Sequence, residues 1–291
     1  MNNKPIIVGL CGGLGNQLFQ YAAGRALSLK LGVPVELDHS WFAGSKDRSY
    51  TLSEFKINAT PCIGLPIISK KIKALESKVS RKYFSQRMGV PIFRETSFNF
   101  MREFEEISQP VFLQGYWQSE KYFDRFSEQI RKELTFSNSV PKKCNALMES
   151  ISKTQSICIH IRRGDYISNS KTRKIFHACS LDYYKENVNR LCKNLTNPHC
   201  FVFSDDCEWA RSNIKLNIPY TIVDINEANE AHLDLLLMSL CNDFVIANSS
   251  FSWWGAWLGS FKNKRIVAPK NWFIRHDINT DDLIPSNWER R

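Results

Sequence analysis

The chain has 291 residues, of which 43% are apolar and 23% are charged, the composition of an ordinary globular protein that is long enough to bury a large core. Lysine and arginine outnumber aspartate and glutamate by 39 to 29, a formal net charge of +10, which favours an anionic partner such as a nucleotide, a nucleic acid or an acidic membrane surface. No apolar run reaches the length of a membrane span or of a signal-peptide core, so we expect a soluble, cytoplasmic chain that is peripheral to a membrane at most.

The first half of the chain alternates short apolar runs with segments of helical periodicity. We predict strands over residues 5–10, 34–38 and 111–117, and helices over residues 16–32, 69–89 and 121–136. Apolar residues of the 69–89 segment fall on one face and basic residues on the others, which predicts an amphipathic helix. Its basic face fits an anionic membrane, and a solvated helix face is the alternative.

A polar, proline-containing segment over residues 137–143 marks a predicted domain boundary. Beyond it we predict strands over residues 156–161, 200–205, 220–224, 243–249 and 264–269, and helices over residues 180–195, 228–242 and 251–261. Continuous Val/Ile strands that alternate with helices are typical of parallel sheets covered on both faces.

This alternation predicts an α/β protein of two doubly wound, Rossmann-like halves that face a cleft. We expect a first domain over residues 1–140, a second over 141–270, and a C-terminal segment over 271–291 that packs back on the first domain. Ligands of such sheets bind at the carboxyl ends of the strands.

The cysteines give no sign of a metal site or a disulfide framework. The nine cysteines form no CxxC pair and no Cys/His spacing typical of zinc, so we interpret them as reduced, mostly buried thiols. N-glycosylation patterns occur at Asn58, Asn194 and Asn248, and without a secretory signal they carry little weight.

The stretch SICIHIRRGDY, residues 156–166, ends an apolar strand on two arginines. Because side chains alternate along a strand, His160 and Arg162 lie on one face at its carboxyl end. Arg162 can bind phosphate oxygens with a planar charged fork, Gly164 allows a sharp turn, and Asp165 can hold the guanidinium. The alternative is an Arg–Asp ion pair that only fixes a surface loop.

A glycine-rich turn, GLCGGLGNQLF over residues 9–19, leads into the first predicted helix. Gly13 and Gly15 leave the N–H groups of a helix N-terminus open to an anion, and Asn16 adds an amide. The spacing departs from the dinucleotide-binding G-x-G-x-x-G pattern, so a tight strand-to-helix crossover is the alternative interpretation.

Hydroxyl groups cluster at the start of a helix in NSSFSWWGAWL, residues 248–258. We expect one serine to be the N-cap, and the remaining hydroxyls and the helix N-terminus to suit a phosphate. The residues of this proposed loop are Ser249, Ser250, Phe251 and Ser252. The tryptophans that follow, Trp253, Trp254 and Trp257, are interpreted as core packing rather than as a sugar platform.

Two acidic residues, Asp205 and Asp206, end another predicted strand in FSDD. A carboxylate at this position can accept hydrogen bonds from a guanine edge or from ribose hydroxyls. The sequence contains no D-x-D, no G-x-x-x-x-G-K-[ST] and no G-x-S-x-G. These absences count against a metal-dependent sugar transferase, a P-loop NTPase and an α/β-hydrolase.

Three motifs in this order, GGLGNQLFQYAAGRAL, HIRRGDY and NSSFSWWGAWL, together with LQGYWQSEKYF between the first two, closely resemble the α-1,2-fucosyltransferases of glycosyltransferase family 11. The match runs from Gly9 to about Trp272. The resemblance implies a two-domain GT-B-type fold, GDP-β-L-fucose as donor, inversion to an α-1,2 linkage on a β-galactoside, and no metal or other cofactor. The chain looks like the bacterial members, which implies a role in polysaccharide or O-antigen synthesis.

The resemblance also implies roles for individual residues. Arg162 matches the arginine that clamps the donor diphosphate, and His160 matches a histidine that contacts the nucleotide. The NSSFS loop matches a phosphate-binding loop, Asp205 looks similar to an acid near guanine, and Asn16 matches a residue that reaches into the cleft from the other domain.

Fucosyl transfer needs stabilisation of the leaving group and a base for the acceptor hydroxyl. Negative charge grows on GDP as the sugar bond breaks, and Arg162 is the fixed donor placed to meet it. Asp165 belongs to the same motif and is included in the predicted catalytic group. Asp38, at the end of the strand PVELD in the expected acceptor domain, is our candidate general base.

Other functions stay open at this point. α-1,6-Fucosyltransferases share the histidine–arginine strand, although SFSWWGAWL and RRGDY favour α-1,2 transfer. A non-catalytic nucleotide- or nucleic-acid-binding protein fits the charge, but the basic residues are dispersed, so we expect no nucleic-acid partner. The expected acceptor is an oligosaccharide or a lipid-linked glycan, reached in the latter case at the inner membrane. The sequence does not indicate the acceptor sugar or the oligomeric state.

Overall fold

The protein is described from a computed structural model, which defines residues 4–45, 47–62 and 89–291. The predicted amphipathic helix lies outside these residues except for Gly89. The chain folds into two compact units. The N-unit runs to Asn138 and takes in Asp281–Leu283, and the C-unit comprises Ser139–Thr280 and Ile284–Arg291.

The N-unit is built on a parallel sheet of five strands in the order β3-β2-β1-β5-β4. Its strands are β1 (Ile6–Gly9), β2 (Val35–Asp38), β3 (Thr60–Pro61), β4 (Ile92–Arg94) and β5 (Phe112–Gln114). The last of these is shorter than the predicted strand over 111–117. Trp117 has a φ of 57°, a left-handed conformation that an extended strand cannot accommodate.

Helix α1 (Leu14–Leu31) connects β1 to β2 and is buried on most of its surface. Gly24 lets it approach the sheet, since a Cβ at this position would lie 2.1 Å from Val8 Cγ2. A buried ion pair, Arg25 Nη2 to Glu133 Oε1 at 2.8 Å, joins α1 to helix α2 (Ser127–Glu133). Close packing holds α1 against the sheet, and this ion pair joins it to α2.

The predicted helix over residues 121–136 is only partly helical. Two short 3₁₀ turns, Glu120–Tyr122 and Asp124–Phe126, precede α2. Tyr122, in the first of these turns, and Phe123, between the two, are both buried.

The C-unit contains a parallel sheet of six strands in the order β11-β10-β9-β6-β7-β8. Its strands are β6 (Gln155–Ile161), β7 (Pro198–Ser204), β8 (Tyr220–Val223), β9 (Asp243–Val245), β10 (Ile266–Ala268) and β11 (Glu289–Arg290). The first five confirm the predicted strands. Residues 271–291 were expected to pack on the first domain: Asp281–Leu283 belong to the N-unit, while β11 extends the sheet of the C-unit beside β10.

Helices cover the C-unit sheet. They are α3 (Asn145–Ser152), α4 (Gly164–Ser168), α5 (Leu181–Cys192), α6 (Cys207–Asn213), α7 (Ala231–Ser239) and α8 (Ser250–Leu258). Ile157, Ile159 and Ile161 of β6 share one core with Tyr184 and Val188 of α5, which confirms the predicted alternation of that strand. No helix that the structure describes is both long and apolar enough to span a membrane.

Both sheets reverse their strand order beside the strand that comes first in each unit. β1 lies between β2 and β5, and β6 lies between β7 and β9. Such a reversal opens a crevice at the carboxyl ends of the strands, where ligands of α/β sheets bind. In the C-unit, the loops after β6, β7 and β9 carry RRGDY, FSDD and NSSFS, so the fold brings the predicted motifs to one edge.

Candidate active site

Arg162 lies directly beyond β6, and two carboxylates hold its guanidinium. Nη2 is 2.6 Å from Asp165 Oδ1, and Nη1 is 2.9 Å from Asp205 Oδ2. The guanidinium carbon lies 5.6 Å from the centroid of the Tyr166 ring. The predicted contact with Asp165 is therefore present, and the Arg162 side chain is still 19% exposed. The two carboxylates therefore fix the orientation of the guanidinium at this edge of the sheet.

Asp205 holds the turn after β6 instead of presenting a free carboxylate. Its Oδ1 accepts the backbone N–H of Arg163 at 2.8 Å, while Oδ2 pairs with Arg162. A Cβ on Gly164 would lie 2.5 Å from Asp205 Oδ2, so the tight approach of the turn requires glycine. Its two oxygens thus position Arg162 and the turn, and the contact of Asp205 with guanine stays a prediction.

Arg163, the second arginine of the motif, has a different surrounding. Its guanidinium carbon stacks 3.8 Å from the centroid of the Trp209 ring, and Nε is 3.3 Å from Asp206 Oδ2. Asp206 Oδ1 accepts the N–H of Trp209 and caps α6. These contacts of Arg163 with Asp206 and Trp209 join the turn after β6 to the start of α6. Trp209 was missed, and its only sequence signal is an N-cap aspartate three residues earlier.

His160 is buried behind Arg162 with 4% of its surface exposed. Its Nδ1 is hydrogen-bonded to Ser252 Oγ at 2.6 Å, and its ring centroid lies 5.3 Å from that of Phe251. Burial, followed by repulsion from the charge of Arg162, lowers the pKa of His160 to about 3. The imidazole is therefore neutral at physiological pH and acts through hydrogen bonds, not through charge.

The three predicted serines have three different places. Ser249 occupies the N-cap position of α8, as expected for one of the three, and its side chain makes no capping hydrogen bond. Ser250 begins the helix. Ser252 is fully buried, and its hydroxyl orients the imidazole of His160. The phosphate-binding role of the loop stays a prediction.

The rest of α8 and the residue before it are structural. Trp253, Trp254 and Trp257 are buried, which confirms their interpretation as core. The Asn248 side chain donates to the carbonyl oxygens of His177 and Trp272 at 3.0 and 2.9 Å. Full burial of Asn248 leaves no access for glycosylation at this pattern.

In the N-unit, the glycine-rich turn after β1 is tied down by amide side chains. Gly13 is the N-cap residue of α1 and Gly15 lies in its first turn. The Asn16 Oδ1 accepts a hydrogen bond from Gln118 Nε2 at 2.9 Å. Gly12 has a φ of 80°, and a Cβ there would lie 2.4 Å from Asn16 Nδ2. Asn16 therefore locks the turn against the loop after β5, within the N-unit.

Two carboxylates lie at the same edge of the N-unit sheet. Asp38 ends β2, and its Oδ1 accepts the backbone N–H of Ser40 at 2.9 Å, a local turn contact that the general-base prediction did not foresee. Glu95 follows β4, and the sequence offered no signal for it. Burial raises the pKa of Glu95 to about 7. The hydrogen bonds that its carboxylate accepts from the backbone N–H groups of Tyr116 and Trp117 lower the pKa, but burial has the larger effect.

The cysteines lie in both units and form no disulfide among the described residues. All nine cysteines lie among the described residues and are free, four of them buried and five partly buried. None of the nine is exposed and none lies in a disulfide. Within residues 4–45, 47–62 and 89–291, no group of three or more His, Cys, Asp and Glu side chains is arranged to hold a metal ion.

Comparison with known families identifies the chain. The model of glycosyl transferase family 11 matches residues 51–289. The chain belongs to this family. An α-1,2-colitosyltransferase of Escherichia coli is 33% identical over 98% of both chains, and the O-antigen biosynthesis glycosyltransferase WbnK of Escherichia coli is 30% identical over 96% of this chain and 98% of its own. Family 11 membership makes the protein a glycosyltransferase, as the motifs predicted.

A solved structure supports the predicted fold class. The family 11 chain resembles NodZ, an α-1,6-fucosyltransferase soaked with GDP-fucose, with a TM-score of 0.53 and 13% identity over 88% of this chain and 93% of that chain. At this identity the likeness establishes the fold alone. The GT-B-type assignment of two Rossmann-like, parallel-sheet halves is confirmed.

Proposed function

We propose that this family 11 glycosyltransferase moves L-fucose from GDP-β-L-fucose to the 2-hydroxyl of a β-galactoside, with inversion to an α-1,2 linkage. The observation that carries the proposal is the pre-oriented Arg162 at the strand-order reversal of the C-unit sheet. The sequence motifs around it resemble those of α-1,2-fucosyltransferases. The similarity to WbnK supports a place in O-antigen synthesis.

The carboxyl edge of the C-unit suits a nucleoside diphosphate. Arg162 provides a permanent charge with two-pronged geometry. The N-terminus of α8 begins at the same edge, where a helix dipole favours an anion, and the Ser249 side chain makes no capping hydrogen bond. Asp165 and Asp205 offset part of the positive charge of Arg162, and in exchange they hold its orientation.

The reaction breaks the bond between fucose C1 and the diphosphate oxygen and forms a bond from C1 to the acceptor oxygen. Negative charge therefore grows on GDP, and Arg162 and the α8 N-terminus are placed to stabilise it without a metal ion. The neutral His160, oriented by Ser252, contributes a hydrogen bond to the nucleotide. The acceptor proton goes to a carboxylate of the N-unit, for which Asp38 at the end of β2 is our candidate.

A second donor has support from the comparisons. The chain is 33% identical over nearly its full length to an α-1,2-colitosyltransferase. Colitose is L-fucose without its 3-hydroxyl group, so both donors present the same diphosphate and the same reacting carbon. The enzyme can therefore distinguish the two donors only through a contact with the 3-hydroxyl of fucose. A site that hydrogen-bonds this hydroxyl rejects colitose, which lacks it.

The experiment is transfer of labelled sugar from GDP-fucose and from GDP-colitose to a panel of β-galactosides in the presence of EDTA, followed by linkage analysis. We expect an α-1,2-linked fucoside. An α-1,2-linked colitoside as the main product would replace the donor but keep the reaction. An α-1,6 product, or activity that needs added metal, would contradict the proposal. GDP affinity measured by calorimetry shows separately whether the donor site exists.

A further inference from the structure

The loop after β5, residues 115–118, is held at every residue. Glu95 Oε2 accepts the backbone N–H of Tyr116 at 2.6 Å, and Oε1 accepts that of Trp117 at 2.9 Å. The carbonyl oxygen of Gly115 accepts a hydrogen bond from Gln20 Nε2 at 3.0 Å. A single carboxylate thus fixes two consecutive peptide groups at the carboxyl edge of the N-unit sheet.

The conformation that this loop adopts is intrinsically unfavourable. Among the residues that the structure describes, Trp117 is the one non-glycine residue with a positive φ, at 57°. The approach of Glu95 also requires Gly115, where a Cβ would lie 2.4 Å from Glu95 Cβ. Unfavourable backbone that several contacts hold in place is characteristic of functional sites.

The result of this conformation is that two consecutive aromatic side chains are separated. Trp117 is fully buried, with ring centroids of Phe104 and Tyr122 at 5.7 and 5.3 Å. Tyr116 is 41% exposed, and its hydroxyl is hydrogen-bonded to the Cys11 thiol in the glycine-rich turn. The Tyr116 ring therefore lies at the end of β1 and leaves part of its surface to solvent.

A second exposed aromatic ring, that of Trp41, follows β2, on the other side of β1 from the loop that carries Tyr116. Trp41, also 41% exposed, belongs to the 3₁₀ turn Ser40–Gly44 directly after β2. β2 and β5 are the two neighbours of β1, so the loops that carry Trp41 and Tyr116 start about 10 Å apart. Tryptophan and tyrosine each combine a broad apolar face with a polar group, which is the character of surfaces that bind amphipathic ligands.

We propose that Tyr116 and Trp41 form a stacking surface for the acceptor sugar, and that Glu95 is a positioning residue that holds Tyr116 in it. This inference rests on the proposed function and names the place of its acceptor. A β-galactoside has an apolar patch of C–H groups on one ring face, which matches an exposed aromatic ring. The surface lies at the N-unit edge that also carries Asp38.

The first experiment uses methyl β-D-galactopyranoside as the probe. Saturation of the aromatic protons of the wild-type protein should transfer to the ring protons of the sugar. Tyr116→Ala and Trp41→Ala should each weaken binding about tenfold, while Tyr116→Phe keeps most of it. Phe261→Ala, which removes an exposed ring in the C-unit, is the matched control and should bind as the wild type does.

The outcomes separate this inference from the proposed function. Unchanged galactoside binding in both alanine variants, or no saturation transfer from the wild-type protein to the sugar, overturns the stacking surface. Calorimetric titration with GDP on the same samples checks folding and the donor site. A wild-type protein that binds the galactoside but not GDP would contradict the proposed function and support the stacking surface. A wild-type protein that binds GDP but not the galactoside would overturn the stacking surface and leave the proposed function intact.

The positioning role of Glu95 is tested by its charge. Burial raises the pKa of Glu95 to about 7, and only the ionised carboxylate accepts both N–H bonds. The ionisable groups near it are Cys11, Tyr116 and Tyr122, whose pKa values are raised by burial, so they stay neutral from pH 6 to pH 8. Galactoside binding should therefore weaken by several-fold as the pH falls from 8 to 6.

Glu95→Gln removes this titration. Its side chain accepts one of the two N–H bonds and presents an NH₂ group to the other, so binding should be weaker than in the wild type and flat between pH 6 and pH 8. A variant that folds, binds GDP and retains the pH dependence of the wild type would show that another group titrates, and would overturn the role of Glu95.

Discussion

The buried His160 makes the stability of the C-unit depend on pH in a calculable way. Its pKa is about 3 in the folded protein, against a usual value of 6.5, so below pH 6.5 the unfolded chain binds a proton that the folded chain does not. Stability therefore falls as the pH decreases from 6.5 towards 3, and at pH 5 the loss relative to pH 8 is about 2 kcal/mol. His160→Asn removes this titration, while its Oδ1 can still accept the hydrogen of the Ser252 hydroxyl.

Guanidinium chloride unfolding at pH 8 and pH 5, followed by tryptophan fluorescence, measures the effect. Six of the eight tryptophans lie in the C-unit and make the signal specific to it: Trp209, Trp253, Trp254, Trp257, Trp272 and Trp288. The wild type should lose about 2 kcal/mol more than His160→Asn between the two pH values. Ser252→Ala should keep the wild-type dependence, because burial is the main cause of the shift. Equal pH dependence in His160→Asn and the wild type would refute the reasoning.

Two further substitutions, one in each unit, test contacts that the structure shows. Gly164→Ala places a Cβ 2.5 Å from Asp205 Oδ2 and should weaken GDP binding, measured by calorimetry, at least about tenfold. In an Asp205→Ala background the glycine substitution should cause no further loss of GDP affinity. Additive losses would contradict the argument that Gly164→Ala acts through a clash with Asp205. Glu133→Gln leaves Arg25 without its buried partner and should lower the free energy of unfolding of the N-unit by about 3 kcal/mol. Glu149→Gln breaks an exposed i,i+4 pair and should cost less than about 0.5 kcal/mol, so equal losses in denaturant unfolding would contradict the burial argument.

The sequence predicts most of what the C-unit contributes because its signals are local. Alternation along β6 places His160 and Arg162 on one face, and the glycine after them predicts the turn. The partners of these residues are a matter of tertiary structure. Asp205 comes to Arg162 because β7 lies beside β6, and Ser252 reaches His160 from α8, which no spacing in the sequence encodes.

The site residues of the N-unit are harder to predict from the sequence, for a physical reason. β4 has three residues, too few to leave a hydrophobic period, so nothing in the sequence marks Glu95 as the residue that ends a strand. Trp117 belongs to an apolar run that predicts continuous strand, and its left-handed backbone is imposed by contacts with Glu95 and the aromatic core. Strand ends fixed by distant side chains lie beyond any local pattern.

The central claim is that Arg162 binds the diphosphate of a GDP-sugar at the carboxyl edge of the C-unit. Calorimetric titration with GDP of the wild type, Arg162→Ala and Arg211→Ala tests it most directly. Arg211 is an exposed arginine of α6 paired with Asp224, so its loss changes the net charge equally. We predict that Arg162→Ala weakens GDP binding and lowers kcat by at least about 10²-fold, with little change for Arg211→Ala. Equal GDP affinity in Arg162→Ala and the wild type would contradict the account.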